Sequence, residues 1–402
     1  MRITNKMLSN NFLNDMQVNL NNLQTLQQQM TSGKQIRKPS DDPFKAARIM
    51  QLYADIGANE QYNSNITSLK NWQETTDTAL NDAGNVLQRI NELMVAAGNA
   101  AYGSNEMKAI KDEVNQKVEE FSQIMNTNYS GRYVFGGSRV DTKPTTYTTD
   151  AQGNTQINYN ILPVSGDQPI SAADQKTQLQ SRMSVEVSTG VTVDYNVPVT
   201  DIVSFNSDKG TARNIMDMFK TITANLDGNI VADGTTATSS DLTLTADMTL
   251  SSSMTWNGSA VTTTDGSVYH AGDSIPAGKT IPKNSVVKSG AVIPKGTVVS
   301  GGKDTQNQAK DAILGDTLQS VKDSINNILS VRASVGAKEN RMETAKTRNE
   351  AENDNMKAVL SSTEDIDITE TTMKYATMQT VYQASLQTSA KVIQPTLLDY
   401  IG

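Results

Sequence analysis

Apolar residues in the first part of the chain recur at alternating spacings of three and four. This spacing places them along one narrow stripe of an α-helix, as in a coiled coil. The stripe comprises Leu13, Met16, Leu20, Leu23, Gln27 and Met30. Its other faces carry mainly Asn and Gln, whereas a solvated coiled-coil helix carries Glu and Lys. An uncharged polar surface suits many copies of one chain packed together.

The end of the chain repeats this pattern. Heptad positions hold Tyr375, Met378, Tyr382, Ser385, Ser389 and Val392, and apolar neighbours flank them at Leu386, Ile393, Leu397 and Leu398. Charge is again sparse. We expect the two ends to pair, and we expect both stripes to become fully ordered only when neighbouring copies cover them.

Longer heptad patterns lie between the ends. Residues 66–97 predict about 45 Å of helix at 1.5 Å per residue, and residues 107–124 predict a helix that reverses on the first. Residues 314–335 predict the helix that completes a coiled-coil bundle. Gln73 and Thr76 occupy seam positions, where polar side chains either specify register or mark a weak seam.

The Gly33 to Pro43 stretch interrupts these helices. Gly33 suits a helix C-terminus, and Asp42 followed by Pro43 suits an N-cap and the first helical position. An acidic stretch, residues 362–370, interrupts the C-terminal helices. It is either a switch or chaperone-contact region, or the acid-rich start of a helix favoured by the helix dipole.

The middle of the chain predicts short β-strands. Alternating runs bounded by Gly, Asn and Pro fill residues 132–206 and include a hairpin across Ser188-Thr189-Gly190. A short helix is expected over residues 211–226. Apolar residues then recur every six positions, at Tyr269, Ile275, Ile281, Val287, Ile293 and Val299, with Gly or Asn in register. This hexad repeat predicts a short β-helix, a β-roll or a repetitive meander.

The fold class predicted from these patterns is α+β. N- and C-terminal helices form an elongated coiled-coil bundle, and β-rich domains are inserted in the middle of the chain. Residues 1–40 and 361–402 form terminal helices, and residues 41–131 and 306–360 form the bundle layer. Residues 132–227 form a β-rich domain with a short helix, and residues 228–305 form the inserted hexad domain.

The amino-acid composition limits the classes of function that the chain can have. Only 37% of the 402 residues are hydrophobic and 5% aromatic, so burial must come from narrow seams or other subunits. A net charge of −8 disfavours binding to phosphate backbones. The chain contains no cysteine, which excludes disulfides and thiolate chemistry. The first residues lack the apolar stretch of a secretory signal, and no apolar run could span a membrane. An extracellular location therefore requires a dedicated export machine.

The sequence offers few candidate catalytic residues. His270 is the only histidine. It lies beside the hexads, as does the general base of hexapeptide-repeat acyltransferases, but those enzymes need many more coils and an orienting partner for the base. Asp and Glu lack calcium-loop spacing, and no phosphate loop is present. We expect no enzyme activity, no catalytic residue, no cofactor and no metal.

Several blocks, in order, resemble bacterial flagellin-like proteins. They are MRITNKMLSNNFLNDM, LQQQMTSGKQIRKPSDDPFKAARIM, TTDTALNDAGNVLQRINELMVAAGNA and SGRYVFGGSR at the N-terminal end, and VGAKENRMETA, LSSTEDIDITE and VYQASLQTSAKVIQPTLLDYIG at the other. Within the family, MRITNKM, GRYVFGG and the LLDYIG ending resemble hook-filament junction proteins of the hook-associated protein 3 type. Flagellins usually lack YVFGG and tend to end in Leu-Leu-Arg.

The resemblance implies a structural adapter of the bacterial flagellum that joins hook-associated protein 1 to the flagellin filament. It implies an extracellular protein exported by the flagellar secretion apparatus, a C-terminal export chaperone, and packing in a ring of about eleven copies. The terminal helices would form an inner tube layer. A flagellin-type filament subunit shares nearly all these features and is the alternative. Compact members lack residues 228–305, so an enzyme or adhesin in this insert is a weaker alternative, and a surface decoration or lateral contact is favoured.

The resemblance also implies a role for the Gly33 to Pro43 turn as the joint between inner and outer layers. Its charged residues would then contact a neighbouring subunit. They are Lys34, Arg37, Lys38, Asp41 and Asp42. A solvated loop with local ion pairs, each worth under about 1 kcal/mol, is the alternative.

Overall fold

The computed structural model describes residues 5–98, 104–150, 152–162, 170–232, 242–244, 247–258, 260–282, 285–287, 291–294, 297–300 and 309–392. The chain divides into two compact units. The terminal unit comprises residues 1–64 and 344–402, and the central unit comprises residues 65–343.

The terminal unit is built from both ends of the chain. Helix α1 (Asn5–Ser32) packs along helix α8 (Ile368–Val392), which confirms that the two ends pair. The first turns of α2 (Pro43–Ala97) pack against the end of α7 (Leu318–Glu364). No side chain described on α1 is fully buried, so this pair has no closed core of its own.

The break between α1 and α2 has the predicted chemistry. Helix α1 ends at Ser32, and Gly33 follows with φ +71°, a conformation that glycine adopts without steric cost. Asp42 Oδ1 accepts hydrogen bonds from the amides of Phe44 and Lys45, both at 3.1 Å. Asp42 therefore caps α2, which begins at Pro43.

The central unit contains the main core. Seam residues of α2, including Leu80, Leu87 and Ile90, are fully buried together with Val321 and Ile328 of α7. Helix α3 (Ser104–Met125) and helix α6 (Ile215–Leu226) pack on this seam. Rings of Phe121 on α3 and Phe219 on α6 meet edge to face at 5.4 Å. The heptads thus predict the residues that form this core.

Both polar seam residues of α2 are fully buried. The hydroxyl of Thr76 donates to the carbonyl of Trp72 at 2.8 Å. The Gln73 amide has no hydrogen-bond partner among the described residues. Nearby, the Arg332 guanidinium bonds both carboxylate oxygens of Asp77, at 2.9 and 3.0 Å. This bidentate pair fixes the alignment of α7 on α2 in the central unit.

Short strands and helices follow α3. The strands are β1 (Asn128–Tyr129), β2 (Arg132–Tyr133), β3 (Thr145–Thr149), β4 (Thr155–Tyr159), β5 (Ser184–Ser188), β6 (Val191–Asp194), β7 (Ser204–Asn206) and β8 (Ala212–Asn214); the helices are α4 (Ala172–Gln180) and α5 (Val199–Val203). Consecutive strands pair antiparallel as four two-stranded ribbons. The β5–β6 ribbon is the predicted hairpin.

The short helix begins later than predicted. The sequence predicts a helix over residues 211–226, but β8 occupies Ala212–Asn214 and α6 starts at Ile215. The cause is Asn214, whose side chain accepts from the amides of Met216 and Asp217 and so caps the helix.

The Phe-Gly-Gly block turns the chain between β2 and β3. Phe135 is fully buried. Gly137 has φ +64°, and a Cβ there would overlap the carbonyl oxygen of Gln178. The backbone amide of Ser138 donates to the same carbonyl at 3.0 Å. Glycine at position 137 is thus required by both conformation and space.

The hexad segment forms nested antiparallel pairs. Its strands are β9 (Ile230–Val231), β10 (Leu242–Thr243), β11 (Met248–Thr249), β12 (Met254–Thr255), β13 (Val261–Thr262), β14 (Val268–Tyr269), β15 (Ser274–Ile275), β16 (Thr280–Ile281), β17 (Val286–Val287) and β18 (Val298–Val299). Strand β13 pairs with β14, β12 with β15, β11 with β16, β10 with β17 and β9 with β18. A parallel β-helix stacks its coils differently, so that interpretation is wrong for these strands.

The hexad side chains nevertheless point inward as predicted. Ile275, Ile281, Val287 and Val299 are fully buried around Trp256. Gly266, Gly272 and Gly278 have positive φ, whereas the later repeat positions Asn284, Gly290, Gly296 and Gly302 lie outside the described residues. The insert therefore has a separate small hydrophobic core.

Candidate assembly interface

The α1–α8 pair uses one face of each helix. On α1 the half-buried row contains Phe12, Met16, Leu23, Leu26 and Met30; on α8 it contains Tyr375, Met378 and Tyr382. The predicted residues Met16, Leu23, Met30, Met378 and Tyr382 thus contribute to the pair. No group in either row is closed off from solvent, because two helices alone cannot enclose a seam.

Other predicted interface residues face solvent. Leu13 is 46% exposed, Leu20 is 41% exposed and Leu386 is 43% exposed. Leu13 and Leu20 lie one heptad apart, so they form a second apolar row on α1. Ile393, Leu397 and Leu398 lie outside the described residues.

A groove of about 620 Å³ lies between α1 and α8. Leu26 of α1 and Met373, Met378 and Val381 of α8 supply its apolar lining, and Glu370 lies among the polar lining residues. The terminal pair therefore presents both an apolar row and an apolar groove.

The charged residues of the turn have mostly local partners. The Asp41 carboxylate accepts from the amides of Lys38 at 3.0 Å and Arg37 at 3.1 Å. These two hydrogen bonds, that from Lys38 first, lower the pKa of Asp41. The Arg37 guanidinium donates to the Gln28 side chain at 2.6 Å. With Asp42 engaged as the cap of α2, both acids of the turn are held by backbone.

Lys34 joins the turn to the break between α7 and α8. The Gln35 amide donates to the carbonyl of Glu364 at 2.6 Å, and the Ile366 amide donates to the carbonyl of Gly33 at 3.0 Å. These two hydrogen bonds form a short antiparallel bridge, which we call the clasp (Gly33–Gln35 with Glu364–Ile366).

Side chains reinforce the clasp. Lys34 Nζ lies 2.5 Å from Glu364 Oε1, and the Tyr53 hydroxyl donates to Glu364 Oε2 at 2.7 Å. Hydrogen bonding to Glu364, and then to Tyr53, raises the pKa of Lys34. Because the Glu364 side chain is only 9% exposed, its charge needs compensation, and Lys34 and Tyr53 supply it. Both helix breaks are thereby held together.

Sequence reasoning missed Glu364 and Tyr53. Glu364 lies in the acidic stretch of residues 362–370, and Asp367 of that stretch caps α8 by accepting from the Glu370 amide at 3.0 Å. The helix-start interpretation is thus confirmed for Asp367. Nothing local indicates that Glu364 meets Lys34, because the two residues are 330 positions apart.

The single histidine lies at the surface of the insert. The His270 side chain is 72% exposed, and its Nδ1 lies 3.8 Å from Asp273 Oδ2. The His270 amide donates to the same carboxylate at 2.7 Å, so Asp273 shapes a turn. Within the described ranges, no group of three acidic or histidine side chains could hold a metal ion. Of the helices described, none is long and apolar enough to cross a membrane.

Family models match both ends of the chain. The model of the bacterial flagellin N-terminal helical region matches residues 3–139, and that of the C-terminal helical region matches residues 318–401. Together they cover more than half of the chain. It belongs to the bacterial flagellin family. The matched regions contain α1 to α3 and α7 to α8, which are the helices of the seam and of the terminal pair.

Curated flagellins share part of their length with this family member. It is 28% identical to a flagellin of Clostridium tyrobutyricum over 50% of this chain and 49% of that protein. It is 31% identical to a phase 1 flagellin of Salmonella naestved over 31% of this chain and 24% of that protein. The chain thus spans about half the length of the first relative and about a quarter of the second.

Solved structures that match part of this chain include flagellar proteins. Flagellar hook associated protein-3 from Legionella pneumophila matches with a TM-score of 0.45 at 16% identity, over 78% of this chain and 98% of that one. FlgL from Bacillus cereus matches with a TM-score of 0.42 at 16% identity, over 77% and 99%. At these scores the likeness decides neither fold nor function.

Proposed function

We propose that this member of the flagellin family is a structural adapter of the bacterial flagellum, joining hook-associated protein 1 to the flagellin filament. It acts outside the cell without enzyme activity, after export by the flagellar secretion apparatus. An export chaperone holds its C-terminus before assembly. In the flagellum, about eleven copies surround the axis at each level.

The observation that carries this proposal is the unfinished packing of the α1–α8 pair. The described side chains of α1 include no fully buried residue, and Leu13, Leu20 and Leu386 remain well exposed. A monomer gains little by exposing a regular apolar row, whereas an assembly buries it. The match of both terminal regions to the flagellin family supports assembly of this kind.

Assembly would complete the fold. An isolated helix pair of this kind is marginal in water because it has few apolar contacts and almost no charged pairs. Contacts with neighbouring copies add the missing burial, so folding of the ends and assembly are coupled. Limited proteolysis of the free chain should therefore trim residues 1–32 and 368–402 first. Protease resistance of both ends in the monomer would contradict this mechanism.

Two sequence blocks favour a junction adapter over a filament subunit as the function of this chain. The YVFGG block and the LLDYIG ending are the residues that resemble junction proteins. In the structure, Val134 and Phe135 of the first block are fully buried and Gly137 is sterically required. This block therefore defines the shape of the domain directly beside α3.

A filament subunit is the second candidate. The curated relatives that match at 28% and 31% identity are flagellins, and a flagellin would use the same terminal helices. The insert formed by residues 228–305 then decorates the surface or contacts a neighbour; an adhesin or enzyme there is a weaker third candidate.

Immunogold electron microscopy separates the first two candidates. Antibodies against the insert should label one short zone between hook and filament if the chain is the adapter. Labelling along the whole filament would refute the adapter and support the filament subunit. Absence of label from isolated flagella, with the chain present in the same cells, would refute both.

A further inference from the structure

An exposed aromatic residue lies at the start of α2. Phe44 is 89% exposed, the most of any large hydrophobic side chain described. It faces away from the small cluster in which Ala46 and Ile49 pack against Leu360. Phe44 is the second residue of α2, and its amide donates to the capping Asp42, so the cap and the inner face of α2 hold its backbone while its ring has no described cover.

Basic residues surround Phe44 in the sequence. Arg37, Lys38, Lys45 and Arg48 are all exposed, and none forms an ion pair with another described residue. The nearby acids Asp41 and Asp42 are occupied by backbone amides. We call Phe44 with these four basic residues the Phe44 patch.

A complementary surface lies at the start of α8. Ile368 is 68% exposed, and the neighbouring Asp365, Asp367 and Glu370 are exposed too. The sequence contains no Lys or Arg between Lys357 and Lys374. We call Ile368 with these three acidic residues the Ile368 patch.

Both patches adjoin the clasp along the chain. The Phe44 patch follows the Gly33 end of the clasp, and the Ile368 patch follows its Ile366 end. They do not cover each other within the chain, because Phe44 and Ile368 both remain exposed. Glu370 pairs with Lys374 of its own helix at 2.7 Å, and no described ion pair joins the patches.

We propose that the Phe44 patch of one copy docks on the Ile368 patch of a second copy of this chain. Opposite charge supplies orientation and specificity, and the aromatic ring supplies the apolar anchor. A contact between two different patches is heterologous, and such contacts close into rings or build helices. The inference rests on the proposed function and names the surfaces of one contact between its copies.

Cysteine cross-linking tests this pairing without background, because the natural chain has no cysteine. The double variant Phe44→Cys with Ile368→Cys replaces the wild-type copy in the cell. Flagella are sheared from the cells, oxidised with copper phenanthroline and blotted with antiserum to this chain. We expect a ladder of dimers and higher oligomers, whereas each single variant gives no more than dimers at background yield.

A matched pair controls for crowding. Met50 is 67% exposed and lies on another face of α2, so Met50→Cys with Ile368→Cys should give at most about a tenth of the ladder yield. Charge provides a second control. Adding Arg48→Glu to the double variant should lower the yield at least about threefold, and adding Glu370→Arg as well should restore it.

The outcomes separate the inference from the proposed function. Absence of the chain from sheared flagella contradicts the proposed function. Its presence there without a ladder overturns the pairing alone. Thiols lost without a change in mass would show an intrachain contact, and a product containing another protein would show a different partner; either result overturns the pairing.

Discussion

The exposed leucines of α1, Leu13 and Leu20, allow a direct test of whether assembly buries this row. Leu13→Gln with Leu20→Gln removes the row but keeps good helix formers, and glutamine already occupies the next heptad position at residue 27. The free protein should keep nearly its full Tm, because neither side chain belongs to the main core in the central unit. Assembly, by contrast, should weaken.

The exposed fractions of the two leucines set the expected loss of association free energy. Burying a leucine completely is worth about 1.5–3 kcal/mol. Since Leu13 and Leu20 are already more than half covered, at 46% and 41% exposed, assembly can gain about 1 kcal/mol from each. A loss of about 2 kcal/mol corresponds to about a 30-fold weaker association.

Quantitative immunoblotting gives the ratio of chain held in sheared flagella to chain free in the medium. We expect this ratio to fall about 30-fold in the variant. Leu329→Gln, at a leucine of α7 that is 50% exposed in the central unit, is the matched control and should leave the ratio unchanged. A wild-type ratio in the double variant would show that the row is not buried by assembly.

Three further predictions concern particular contacts. Gly137→Ala should destabilise the protein by about 2–4 kcal/mol in denaturant unfolding, because position 137 combines positive φ with a backbone clash. Position 153 has φ +77° and open space where a Cβ would lie, so the control variant Gly153→Ala should cost about 1 kcal/mol. Equal losses in the two variants would contradict the steric argument. Glu364→Gln should speed hydrogen exchange of the clasp amides selectively, and unchanged protection would show that the ion pair does not hold the bridge. Asp265 has a lowered pKa, chiefly through its hydrogen bond with Lys279, so its stabilisation is present above the unfolded pKa of 3.8 and is lost as pH falls below it; NMR signals of the β13–β14 turn should shift there, and Lys279→Met should move that titration towards 3.8.

Sequence periodicity predicted the helices well because its signals are local. The α2 seam follows from residues spaced by three and four, and the break before α2 follows from Asp42 and Pro43. These features act through neighbouring backbone groups. The pairing of α1 with α8 also follows, since each stripe lacks a partner elsewhere.

The fold of the insert was harder to predict from the sequence, because strand pairing is not local. Spacing of six identified inward residues such as Ile275 and Ile281, but two-residue strands carry no information about their partners. Met248 and Met254 lie opposite these residues, and they too are six apart. Their shared spacing was the available signal for nested pairing.

The charged part of the interface was least predictable. The contact of Lys34 with another subunit stays a prediction, whereas its pairing with Glu364 of its own chain has no local signal in the sequence. The Asp41 carboxylate keeps its charge but accepts hydrogen bonds from the backbone amides of Arg37 and Lys38, which the sequence did not indicate. Exposure of Phe44 could not be inferred either, because helical phase shows which face is buried only once the partner helix is known.

Deletion of the gene in its own organism tests the adapter most directly. Electron microscopy of the cells and immunoblotting of the medium with anti-flagellin serum give the two readouts. We predict bare hooks together with flagellin shed into the medium, because exported subunits would have nothing to polymerise on. Bare hooks without shed flagellin would contradict the adapter and show that this chain is the filament subunit, and normal filaments would contradict both.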